Sequence, residues 1–151
     1  MAVAWLMLGA TPAGALCSGA SVEQEYREAD LVVRALVVAE MRVTDDELSA
    51  QFRARWGDYS PMLVNRLRVR DVFKGRPGPS IKFFQEVTSG RFDVDLGSEY
   101  LLFFNYHRPR PGRGAEARGA VYVRYACGQS KLWSEVEPGV LSWLRAWARR
   151  R

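Results

Sequence analysis

Five apolar segments, separated by glycine, proline and charged turn residues, constrain the fold of this chain more than any other feature. Leu31 to Val43 (LVVRALVVAEMRV) is rich in β-branched residues and reads as a long strand buried on much of both faces. Residues 44–60 are polar. Asp45 to Trp56 leaves a helical turn and a long hairpin excursion both open, and Gly57-Asp58-Tyr59-Ser60-Pro61 is a turn signature. Leu63 to Phe73 alternates, with Leu67, Val69 and Phe73 on one side and Arg66, Arg68 and Arg70 on the other. Lys74-Gly75-Arg76-Pro77-Gly78-Pro79 breaks it. Ile81 to Val87 puts Ile81, Phe83 and Val87 on one face. Thr88 to Ser98 reads as a connection with a short extended piece at Phe92–Leu96. Glu99 to Tyr106 (EYLLFFNY) is a strongly apolar fourth strand, and Ala120 to Ala126 is a fifth, with Val121, Val123 and Tyr125 on one face.

Two helices flank these strands. Ser21-Val22-Glu23-Gln24 is a capping box, in which the serine hydroxyl accepts from the Gln24 N–H and the Gln24 side chain reaches back. Residues 22–29 then form a short amphipathic helix with Val22, Tyr26 and Ala29 on one face; Glu23, Glu25 and Glu28 read as its polar side. Glu137-Pro138 opens the last helix, with proline at its preferred first position. Val140, Trp143, Leu144 and Trp147 form its apolar stripe. The expected fold is mainly β: a small five-stranded barrel with a short N-terminal helix and a C-terminal helix, with a sandwich as the competing architecture.

Composition narrows the chemistry. At 151 residues and 48% apolar, the chain suits one domain with a real core. No apolar run reaches the roughly 18–20 residues of a membrane-spanning helix. His107 is the single histidine and there are two cysteines, too few for a histidine cage or a cysteine-rich zinc site. No phosphate loop, HExxH, GxSxG or CxxC pattern occurs. The expectation is therefore a protein without catalysis, metal or cofactor, with His107 a solvated loop residue.

Residues 1–16 (MAVAWLMLGATPAGAL) carry no charge. An apolar segment, Ala4 to Gly9, precedes Pro12 and an Ala13-Gly14-Ala15 pattern suited to a signal peptidase. A signal peptide over 1–15 and a single exported domain over 16–151 are expected; a buried first strand or helix is the alternative. Outside the cytosol, Cys17 and Cys127 pair, closing a loop of about 110 residues worth about 3–5 kcal/mol on the chain-entropy model. In the cytosol they are two unrelated thiols. Lipid attachment at Cys17 is disfavoured by the large Leu16 in front of it.

In order along the chain, a cysteine before a short helix, "EADLVVRALVV", "VNRLRVRDVFKG", "LGSEYLLFF" and "YACGQSKLW" resemble the netrin-like module shared with the tissue inhibitors of metalloproteinases, in its compact bacterial form. The resemblance covers about residues 17–135. It implies an OB-like five-stranded barrel and a protein-binding role outside the cell, metalloprotease inhibition being its sharpest version. It also implies a contact edge at Cys17, Ser18, Gly19 and Ala20, whose small residues suit a narrow cleft. The chain departs from the inhibitors at their N-terminal Cys-x-Cys, because Cys17 is followed by Ser18-Gly19.

A second class of function rests on charge. The net charge is +5, and it is concentrated: Arg108, Arg110, Arg113 and Arg118 in a glycine- and proline-rich loop, and Arg145, Arg149, Arg150 and Arg151 at the C-terminal end. Such patches attract polyanions or anionic membrane surfaces, and Trp143 and Trp147 suit peripheral contact with a membrane interface. The simpler reading packs the tryptophans on the barrel and leaves the arginines solvated. Arg66, Arg68 and Arg70 stand about 6.6–6.8 Å apart on one strand face, near phosphate spacing, with Phe84, Tyr100, Tyr106 and Tyr122 as possible stacking partners. A solvated exterior row is again the simpler reading, and nucleic acid is not the expected ligand of an exported protein.

Overall fold

The computed structural model describes residues 19–42, 63–85, 91–106, 121–123 and 128–150. Its elements are α1 (Val22–Glu28), β1 (Leu31–Arg42), β2 (Leu63–Lys74), β3 (Ser80–Gln85), β4 (Glu99–Tyr106), β5 (Val121–Val123), β6 (Lys131–Leu132), a 3-10 turn (Trp133–Glu135) and α2 (Pro138–Ala148). The chain is mainly β, a sheet accompanied by two helices. The strands pair in the order β1-β2-β3-β5-β4-β6, and β1 also pairs with β4. All pairs are antiparallel except β3 with β5, which meet in parallel at Phe83 and Val121. The two-residue β6 has no counterpart among the expected strands, and Phe92–Leu96 forms none.

The burial expected of β1 on both faces is realised. Val33, Ala35 and Val37 join Leu67, Ile81, Phe83, Tyr100, Leu102 and Phe104 in one cluster. Phe83 of β3 meets Phe104 of β4 edge to face at 5.3 Å, so the sheet curls around this cluster. Val32 points the other way, into a second cluster with Tyr26, Ala29, Phe73, Leu101, Phe103, Val136 and Leu144. The two helices supply that second layer. Val140, Trp143 and Trp147 pack on it as the helical stripe predicts, and Leu141 joins them.

Period-two counting misplaces one residue. Phe73 belongs to the second cluster, not to the Leu67 side. The β1–β2 ladder shifts register between Val32 and Val33, between Arg34 and Ala35, and between Val37 and Ala39. Such irregularities add a residue to one strand and reverse the facing of the residues beyond them.

The capping box is half realised. The Ser21 hydroxyl accepts from the Gln24 N–H at 3.1 Å, but the Gln24 side chain donates forward to Glu28. The far end of α1 is closed by β2. Lys74 Nζ donates to the carbonyls of Tyr26 (2.7 Å) and Arg27 (3.0 Å), where the helix leaves acceptors unpaired. The Tyr26 hydroxyl donates to the Phe73 carbonyl at 2.8 Å. Gly75 follows with φ +84°, and a Cβ there would lie 3.0 Å from the Asp30 carbonyl oxygen. The Phe73-Lys74-Gly75 stretch is thus an architectural joint between β2 and the α1–β1 junction.

Candidate functional site

The joint between the start of α1 and the segment that follows Cys127 is the best-defined polar assembly around any of the expected contact residues. It begins with α1. Val22, Glu25, Tyr26 and Ala29 lie at i, i+3, i+4 and i+7, so Glu25 shares the buried stripe with the apolar residues. Glu25 is 9% exposed, which corrects its expected place on the polar side. Its carboxylate accepts the backbone N–H of Gln129 at 2.5 Å. Gly128 lets the two approach, since a Cβ at that position would fall 2.6 Å from Glu25 Oε1. The Gln129 side chain donates through Nε2 to the Ala20 carbonyl at 2.8 Å. The Ser130 hydroxyl accepts the Phe103 N–H of β4 at 2.9 Å. Residues 128–130 are thereby clamped among α1, Ala20 and β4.

Gly19 is exposed and Ala20 partly so, at the edge of this clamp. Cys17, Ser18 and Cys127 lie outside the described residues, as do the proposed signal segment, His107, and Arg108, Arg110, Arg113 and Arg118 of the basic loop. Arg145, Arg149 and Arg150 are exposed on and just after α2. The Arg150 guanidinium lies over the Trp147 ring at 5.7 Å. Trp143 and Trp147 meet Tyr26 of α1 at 5.3 and 6.1 Å, so their rings are engaged in packing α2 against α1.

A second polar network crosses the sheet. Arg34 of β1 donates through Nε to Glu99 Oε2 of β4 at 2.8 Å, and through a terminal nitrogen to Asp71 of β2 at 3.3 Å. Arg70 comes within 3.4 Å of the other Glu99 oxygen. The Arg34 guanidinium stacks on Trp133 at 4.4 Å. Burial works against the Arg34 charge, but hydrogen bonding and attraction from Glu99 and Asp71 outweigh it and raise its pKa. The group is a fixed cation that ties three strands and the 3-10 turn together.

Among the described residues, no cluster of histidine, cysteine, aspartate and glutamate is arranged to hold a metal ion, and no helix is long and apolar enough to cross a membrane. Of the possible stacking rings, Phe84 and Tyr100 are buried, at 5% and 3% exposure, which removes them as platforms. Tyr106 is exposed.

Glu25 carried a legible signal, a charged residue on the apolar stripe of its helix. Gln129 carried none, because its two contacts lie 104 and 109 residues away. The chain matches no protein-family model and no curated protein sequence.

Proposed function

We propose that the chain is a netrin-like, OB-like barrel that acts outside the cytosol as a non-catalytic protein-binding module. Its contact surface is the edge formed by Cys17, Ser18, Gly19 and Ala20. The observation that carries this reading is the Gln129 side-chain bond to the Ala20 carbonyl, at 2.8 Å. It anchors Ala20, the described end of that edge, to the segment after Cys127, so this end is fixed before a partner arrives.

The barrel is supported by the pairing order, which runs β1-β2-β3-β5-β4 and returns to β1. The Cys17–Cys127 bridge is supported by tether length. Cys17 lies three residues before Ala20 and Cys127 two before Gln129. At about 3.3–3.6 Å per residue, both tethers are long enough to bring the cysteines to the roughly 4.4–6.8 Å Cα separation of a disulfide. The bridge and the export proposed here go together, because disulfides persist in oxidising compartments.

Metalloprotease inhibition gives the edge a defined chemistry: a chain beginning at Cys17 offers a free amine and a carbonyl to a protease zinc. N-terminal sequencing and intact mass of the exported protein, together with inhibition assays on a zinc metalloprotease, test the reading. A bridged chain that begins at Cys17 and inhibits stoichiometrically supports it. Two free thiols in the exported protein overturn the bridge, and a mature chain that begins at Leu16 and leaves the protease active overturns inhibition.

A further inference from the structure

Alternate residues of β2, Arg66, Arg68 and Arg70, are exposed, while Leu67 between the first two is buried and Val69 between the last two packs against the core, so the three arginines share the outer face of the sheet. Their surroundings differ. Arg70 is drawn to Glu99, and Arg34 takes Glu99 and Asp71. Arg66 and Arg68 form no ion pair or hydrogen bond among the described residues. Lys82 of β3 stands directly opposite Arg66 in the ladder, is exposed, and is likewise unpaired among the described residues. Like charges directly across a ladder are unfavourable. β2 and β3 hold a single acid, Asp71, already engaged by Arg34, and β1 holds only Glu40, in register with Asn65.

We propose that Arg66, Arg68 and Lys82 form a binding surface for a linear polyanion, a polymer of repeated sulfate or phosphate groups lying along β2 and recognised by charge. Two observations set its chemistry. The arginine row repeats at about 6.6–6.8 Å, within reach of successive anionic groups on an extended chain. The aromatic residues of β2 and β3, Phe73, Phe83 and Phe84, are all buried. A base therefore finds no ring of these strands to stack on, which disfavours single-stranded nucleic acid, whose binding to such proteins relies on stacking. A sulfated polysaccharide or polyphosphate needs no ring. This surface is independent of the N-terminal edge.

The test is fluorescence anisotropy with labelled heparin oligosaccharide and with linear polyphosphate, over a series of salt concentrations. Single-stranded DNA and phosphatidylserine vesicles serve as comparison ligands. In the variant carrying R66A, R68A and K82A, affinity for the preferred polymer falls about tenfold or more, and the slope of log K against log salt shrinks by about two to three. R66K with R68K keeps binding within about threefold, because charge rather than guanidinium geometry is read. Whichever polymer binds more tightly identifies the source of the anions. The proposal is overturned if the parent protein binds neither polymer at low salt, or if the triple variant binds within twofold of the parent. It is also overturned if DNA or vesicles bind more tightly than both polymers, or if R145A, R149A and R150A together abolish binding.

Discussion

The Glu25 carboxylate accepts the backbone N–H of Gln129 across 104 residues of chain, and Gly128 supplies the room for it. A methyl group at 128 would meet the carboxylate oxygen at 2.6 Å. Gly128→Ala therefore displaces the carboxylate and leaves a partly buried N–H without its acceptor. The expected loss is about 1–3 kcal/mol of unfolding free energy, read as a lower urea midpoint at unchanged slope. Glu25→Ala should cost a similar amount, and the two changes together less than their sum, because each breaks the same bond. Full additivity would show that Gly128 acts elsewhere.

Lys74 ties β2 to the end of α1 through its two bonds to the Tyr26 and Arg27 carbonyls. Lys74→Met keeps the aliphatic stem but removes the ammonium. We expect a loss of about 1–2 kcal/mol, with amide exchange accelerated most in α1. Equal acceleration in β1 and α1 would mean that the helix does not open separately and that the cap is not local.

The Tyr100 hydroxyl accepts the Asp95 N–H at 2.9 Å and donates to the Asp95 carboxylate at 3.2 Å. Burial is the main cause that raises its pKa above the ordinary value, and the Asp95 charge adds to the effect. A phenol that holds its proton more tightly when folded adds stability that is complete below the unfolded value of about 10 and lost as pH rises through the folded value. Denaturation curves from neutral to strongly alkaline pH should show this loss. Tyr100→Phe should be less stable by about 1 kcal/mol at neutral pH, and its alkaline decline should be shallower. Parallel pH profiles for the two proteins would contradict the assignment.

Asn65 is 0% exposed on the inner side of β2, and both polar atoms of its side chain are without a hydrogen bond among the described residues. Gln85, two residues along β3 from Phe83, the cross-strand partner of Asn65, likewise has an oxygen unpaired among the described residues. Buried amide groups without partners oppose folding. Asn65→Leu has nearly the same shape and no polar atoms, and should raise stability by about 1–2 kcal/mol. A destabilised Leu variant would mean that the amide serves a polar contact.

Much of this architecture is written locally. The apolar alternation of β2 and β3, the EYLLFF run and the α2 stripe each state a period and a face, and short-range sterics convert those into strands and a helix. The residues of the N-terminal edge were legible only through motif order, since Gly19 and Ala20 have no chemistry of their own to announce. Facing was legible only where the ladder is regular. Leu67 and Ile81 land where counting puts them, but Phe73 does not, because register shifts between paired strands are a property of two segments and not of one.

Strand periodicity, helix boundaries and the clustering of positive charge were determined by the sequence itself, because each depends on near neighbours or on counting. Tertiary structure alone decided that Glu25 faces inward onto Gln129, that Arg34 pairs with Glu99 65 residues away, and that Arg66, Arg68 and Lys82 are left without counter-charges among the described residues. Those outcomes depend on which strands lie side by side and in what register. Hydrogen bonds and ion pairs between distant segments form only after the sheet has brought them together.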